Sequence, residues 1–227
     1  MWLLKFFNSS IGSKLIMSLT GLFLCTFLLV HMAGNTLLFA SDQGASFNAY
    51  AKFMTGNPLI KTISYGLYAM ILLHAVKGIL IWLYNRNAKG KAYTGKEKSD
   101  TRFRFASHNM ATLGIIVFAF IGTHMFNFWA KMHFTTMPVD TAGNKDLYNL
   151  VAQAFQNPIL VSFYLISMAA LSLHLLHGFA SGFQTLGLNH KKYTPFIQNT
   201  GTAFSILVPL GFAAMPLYFF IKHISGF

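Results

Sequence analysis

Five long apolar stretches dominate this chain, at 15–40, 59–84, 110–130, 158–183 and 203–221. Each reaches the roughly 20 residues a helix needs to cross a hydrocarbon layer. Of the 227 residues, 54% are hydrophobic and only 10% are charged, which is too little polar surface for a soluble domain of this size. In lipid the backbone must satisfy its own N–H and C=O groups, so the stretches read as helices. The expectation is an all-α integral membrane protein: one domain over 1–227, with five transmembrane helices in a bundle. The first stretch is too long for a signal-peptide core of about 7 to 15 residues and is followed by no small-residue cleavage site, so it is read as a retained span.

The formal net charge of +12 follows from topology. Lys5 and Lys14 flank the first span, Arg86, Lys89, Lys91, Lys96, Lys98, Arg102 and Arg104 follow the second, and Lys191 and Lys192 follow the fourth. These segments hold 11 of the 17 lysines and arginines, and the positive-inside rule places them, with the amino end, in the cytoplasm. Nucleic acid is not expected as a partner, because the basic residues lie mainly in loops between spans with little aromatic interleaving for base stacking. Residues 1–13 read as a short interfacial segment, and the basic loop after the second span as a surface for docking a soluble partner. The lone Cys25 excludes an intramolecular disulfide and multi-cysteine clusters, and reads as a packing residue. Pro209 and Pro216 predict bends in the fifth span.

Four histidines, His31, His74, His124 and His174, sit one in each of the first four spans, where an ionisable side chain is costly and marks function. Counted at about 1.5 Å per residue from the basic flanks, His31 and His124 fall in the outer half, and His74 and His174 nearer the cytoplasm. Each layer draws on two helices running the same way. Two imidazoles at one depth are what a six-coordinate haem iron takes, so two layers predict two bis-histidine haems b that carry electrons and leave no open position. The segments themselves repeat: Phe27–Met32 (FLLVHM) matches Phe120–Met125 (FIGTHM), and His74-Ala-Val-Lys77-Gly78 matches His174-Leu-Leu-His177-Gly178. That match favours His174 over its neighbour His177, one turn away, which reads as a propionate partner. Gly21, Gly78, Gly114, Gly122, Gly178 and Gly182 could admit a flat macrocycle, although small residues also serve ordinary helix packing. Asp42, Glu97, Asp100, Asp140 and Asp146 all lie outside the spans, which argues against a carboxylate proton channel.

The segments SLTGLFLCTFLLVHM, LLHAVKG, FAFIGTHM and LHLLHGFASGFQTLG resemble the membrane cytochrome b subunit of succinate dehydrogenases and fumarate reductases, in its single-subunit, five-span, two-haem form. The resemblance covers nearly the whole chain. It implies His31 with His124 at a distal haem and His74 with His174 at a proximal haem. Gly178 and Gly187 match the family's glycines four and thirteen residues after the fourth ligand only if that ligand is His174. Ser18 matches a propionate partner, whereas Met17 departs from a glutamine found before it, and Ser172 stands where some members carry a glutamate. The resemblance also implies a flavoprotein and an iron–sulfur subunit at the cytoplasmic face, and a quinone, menaquinone in the two-haem form, near the distal haem. It implies a bacterial cytoplasmic membrane and admits a higher oligomer of the complex. Asn35, Asp42, Asn48, Tyr50 and Lys52 are the polar groups available to the quinone. The alternatives are a membrane non-haem iron oxygenase, which needs clustered histidines, and a colourless anchor or transporter.

Overall fold

The computed structural model describes residues 9–88 and 101–226. Most of the amino-terminal interfacial segment and of the basic docking loop, including Lys5, Lys89, Lys91, Lys96 and Lys98, lies outside the described residues. The described chain is all-helical, with five helices long and apolar enough to cross a membrane. They are α1 (Ser10–Asn35), α3 (Pro58–Ala88), α5 (Met110–His124), α8 (Pro158–Thr185) and α9 (Thr194–Ser225). Shorter helices connect them: α2 (Ala45–Gly56), α4 (Thr101–His108), α6 (Lys131–Phe134) and α7 (Leu147–Ala154).

Local chemistry sets several of the boundaries. Ser9 caps α1 by accepting from the Gly12 amide at 3.0 Å. Asn57 and Asn157 cap α3 and α8 identically, each accepting from amides at 2.9 and 3.3 Å, with a proline at the first helical position, where no donor is lost. The spans run longer than the apolar stretches, because polar flanks continue the same helices: the fifth starts at Thr194 and ends at Ser225. Pro209 and Pro216 are buried within an α9 that stays one uninterrupted helix.

α1, α3, α5 and α8 form a ring in that order, each packed on the next and the last on the first, while α9 lies outside against α8 and α1. The diagonals of the ring are therefore α1 with α5 and α3 with α8. Leu29, Val76 and Ile166 lie outside the cavity lining and are exposed, as lipid contact requires. Cys25 is buried with Met168, Leu171 and Leu175 where α1 meets α8.

One end of the ring is covered by a second core built from α2, α7 and the ends of α8 and α9, around Leu38, Phe47, Phe155, Tyr164 and Phe219. Its polar clamp is Asn48, only 2% exposed. Asn48 donates to Asp146 Oδ1 at 3.2 Å and accepts from the Tyr148 amide at 2.9 Å, which ties α2 to the start of α7. Gly44 enters α2 at φ 90°, and the Tyr148 ring occupies the place a Cβ would take. Asp42 accepts from the Ser46 and Gly44 amides at 2.9 and 3.1 Å. Hydrogen bonds from Ser46, and then from Gly44, hold its carboxyl below the ordinary aspartate range. Replacing Asn48 with alanine leaves the buried Tyr148 amide without its acceptor and removes one of the donors to Asp146 Oδ1, so we expect thermal unfolding in detergent to report a loss of about 1–3 kcal/mol.

Candidate functional site

The ring encloses a cavity of about 1610 Å³ lined by His31, His74, His124, His174 and His177, larger than the roughly 300–1,000 Å³ of one small-molecule site.

The four span histidines meet in twos across the diagonals. His31 on α1 lies over His124 on α5 with ring centres 5.8 Å apart and planes at 85°. His74 on α3 lies over His174 on α8 with ring centres 6.3 Å apart and planes at 68°. It is His174, not His177, whose ring meets His74. Along α1, Gly21 marks the level of His74, and His31 stands ten residues further on, so the two layers are separated by about 15 Å.

The rings rest on glycines. A Cβ at Gly21 would come 3.3 Å from His74 Cε1, and one at Gly114 would come 3.6 Å from His174 Cε1. One turn on, Gly78 faces the Met17 methyl and Gly178 faces the Met110 methyl. Met17, Gly21 and His31 recur 93 positions later as Met110, Gly114 and His124, and Asn57, Pro58, His74 and Gly78 recur 100 positions later as Asn157, Pro158, His174 and Gly178. The repeat between the first and second pairs of spans is thus a repeat of contacts.

Around each ring the second layer of contacts differs. Thr20 Oγ1 lies 3.0 Å from His74 Nδ1. The Asn35 amide nitrogen lies 3.4 Å from His31 Nδ1 and donates to the His31 carbonyl at 2.7 Å. Tyr164 Oη lies 3.5 Å from His124 Nδ1. His174 Nδ1 and Asn127 Nδ2 are the buried side-chain polar atoms without a hydrogen-bond partner among the described residues. Asn127 belongs to a π-helical turn, Met125–Ala130, that begins directly after His124, a feature common at functional sites.

The cavity ends differ in chemistry. Toward α4 it is rimmed by Lys14, Ser18, Asn85, His108, His177 and Thr185, with Ser18 donating to the Lys14 carbonyl at 3.0 Å. Toward α2 the polar lining is Asn35, Lys61, Ser64, Tyr68, Trp129 and His133. Of the five residues read as available to a quinone, Asn35 lines the cavity. Asp42 and Asn48 are engaged in the end cover, Tyr50 packs its ring against Gly34, and Lys52 is exposed. Sequence reasoning missed Thr20, Tyr68, Tyr164 and Trp129. Only Thr20 carried a signal, standing inside the SLTG segment two residues after Ser18.

These residues fit haem. Metal–imidazole bonds of about 2 Å, plus roughly 1 Å from each nitrogen to its ring centre, separate two axial rings by about 6 Å, against the observed 5.8 and 6.3 Å. Among the described residues no three His, Cys, Asp or Glu side chains gather at one point. Two donors facing across a cavity suit an iron that brings its other four donors in its own macrocycle. Comparison with protein-family models, curated proteins and solved structures finds no match. The 3.3 and 3.6 Å contacts separate the two cradle glycines. Thermal unfolding should rank Gly21→Ala below Gly114→Ala, because the added methyl requires the His74 ring to give by a few tenths of an ångström at Gly21 and meets His174 at ordinary contact distance at Gly114.

Proposed function

We propose that this chain is the membrane-anchoring electron-transfer subunit of a succinate:quinone oxidoreductase and carries two b haems. The observation that carries this reading is the pair of diagonal imidazole contacts, His31 with His124 and His74 with His174, at two levels of one cavity. Each haem would supply a one-electron couple when bound, one held by His31 and His124 and the other by His74 and His174. The chain's own side chains hold and orient: the imidazoles ligate, Gly21 and Gly114 let the His74 and His174 rings lie close to helix backbone, and the apolar ring walls exclude water. His108 and His177, with Lys14, would offer hydrogen bonds and positive charge to propionates at one cavity end.

Two such centres about 15 Å apart along the ring axis would carry electrons between a soluble partner at the basic, cytoplasmic end and a quinone at the other. The quinone head-group would meet Asn35, Ser64, Tyr68 and Trp129 where the cavity opens toward α2. Succinate oxidation, or fumarate reduction in reverse, would take place on flavoprotein and iron–sulfur partners, since this chain has one cysteine and no dinucleotide fingerprint. Menaquinone and a bacterial cytoplasmic membrane come with the family resemblance.

The test is a haem assay on the purified protein. We expect two b haems per chain, one lost in His74→Ala or His174→Ala and the other in His31→Ala or His124→Ala, while His177→Ala keeps both. Protein without reducible b-type absorption would sink the reading. So would loss of both centres on removing a histidine from either layer, in variants that retain the wild-type helix content.

A further inference from the structure

The two halves of the contact repeat are unequal at one position. Thr20 on α1 corresponds, 93 positions on, to Leu113 on α5. Both are buried, at 3% and 6% exposed, and each stands immediately before the glycine that cradles a histidine ring, Gly21 for His74 and Gly114 for His174. Thr20 Oγ1 reaches His74 Nδ1 at 3.0 Å. Leucine offers no such atom, and His174 Nδ1 is buried without a hydrogen-bond partner among the described residues.

Proton accounting at Thr20 fixes the direction of its bond. A hydroxyl has one hydrogen to give and two lone pairs to accept with. The Thr20 oxygen lies 2.7 Å from the Ile16 carbonyl and 3.2 Å from the Met17 carbonyl. Both of these groups only accept, so the hydroxyl hydrogen goes to one of them. The oxygen is left to accept from His74 Nδ1–H. A neutral imidazole protonated at Nδ1 presents its Nε2 lone pair as the metal-binding nitrogen.

We propose that Thr20 is the positioning residue of His74: its hydroxyl holds the ring in the ligating tautomer and makes His74 a stronger donor than His174, whose matching position is Leu113. This rests on the haem reading given above. A hydrogen bond from the far ring nitrogen raises ligand basicity, and such outer partners are worth 10- to 100-fold in metal affinity. A more basic ligand favours the ferric state, so the asymmetry lowers the midpoint potential of the haem between His74 and His174 and leaves the other haem untouched.

The experiment is a spectroelectrochemical titration of the purified protein, with the haem to be followed assigned by its loss in His74→Ala. Thr20→Val keeps the shape and removes the acceptor. We expect a tenfold weaker preference for the ferric state at that haem, an upward shift of about 59 mV for a one-electron couple, and retention of it weakened 10- to 100-fold. Thr20→Ser should restore the wild-type midpoint, and Leu113→Thr should lower the same midpoint by giving His174 a partner. Two haems with midpoints unmoved by Thr20→Val, or with both moved equally, overturn the role of Thr20 and leave the haem reading standing. Wild-type protein without haem overturns both.

Discussion

Two imidazoles facing each other across the diagonal of a four-helix ring are the constraint on which this structure turns. Ring centres 5.8 and 6.3 Å apart bring opposite helices within reach of one another at two levels, while the walls between remain far enough apart for a cavity of about 1610 Å³. Histidine, glycine and apolar residues line that cavity.

The ring has an approximate twofold relation that exchanges α1 with α5 and α3 with α8. It is carried by particular contacts: the histidine on its glycine, the methionine methyl on the next glycine, the asparagine cap before proline. The relation breaks where the two halves serve different surroundings. After His31 the chain tightens into a 3-10 turn, Thr36–Phe39, and after His124 it widens into a π turn. Tyr164 reaches His124 from α8, while the corresponding Ser64 on α3 spends its hydroxyl on the Ile60 carbonyl. Each imidazole therefore has its own environment within a shared scaffold.

Much of this was legible in the chain itself. Apolar runs longer than about 20 residues can only be helices in lipid, and the four histidines are costly enough there to stand out. The rise per residue alone sorted them into two depths. The end cover was not legible, because α2 and α7 are short amphipathic pieces whose order comes from one long-range clamp between Asn48 and residues 146 and 148. Of the polar residues near α2, Asn48 is engaged in that clamp, and Asp42 accepts locally from the Gly44 and Ser46 amides at the start of α2.

Sequence by itself determined five membrane helices and which histidines share a depth, since both follow from counting residues along a regular helix in an apolar solvent. Tertiary structure alone decided that the pairs meet across diagonals of the ring, and that Thr20 reaches one ring while its counterpart has no hydrogen-bond partner among the described residues. Those outcomes depend on the rotation of each helix about its own axis. Rotation is set by packing against neighbours, and no count along one chain segment contains it.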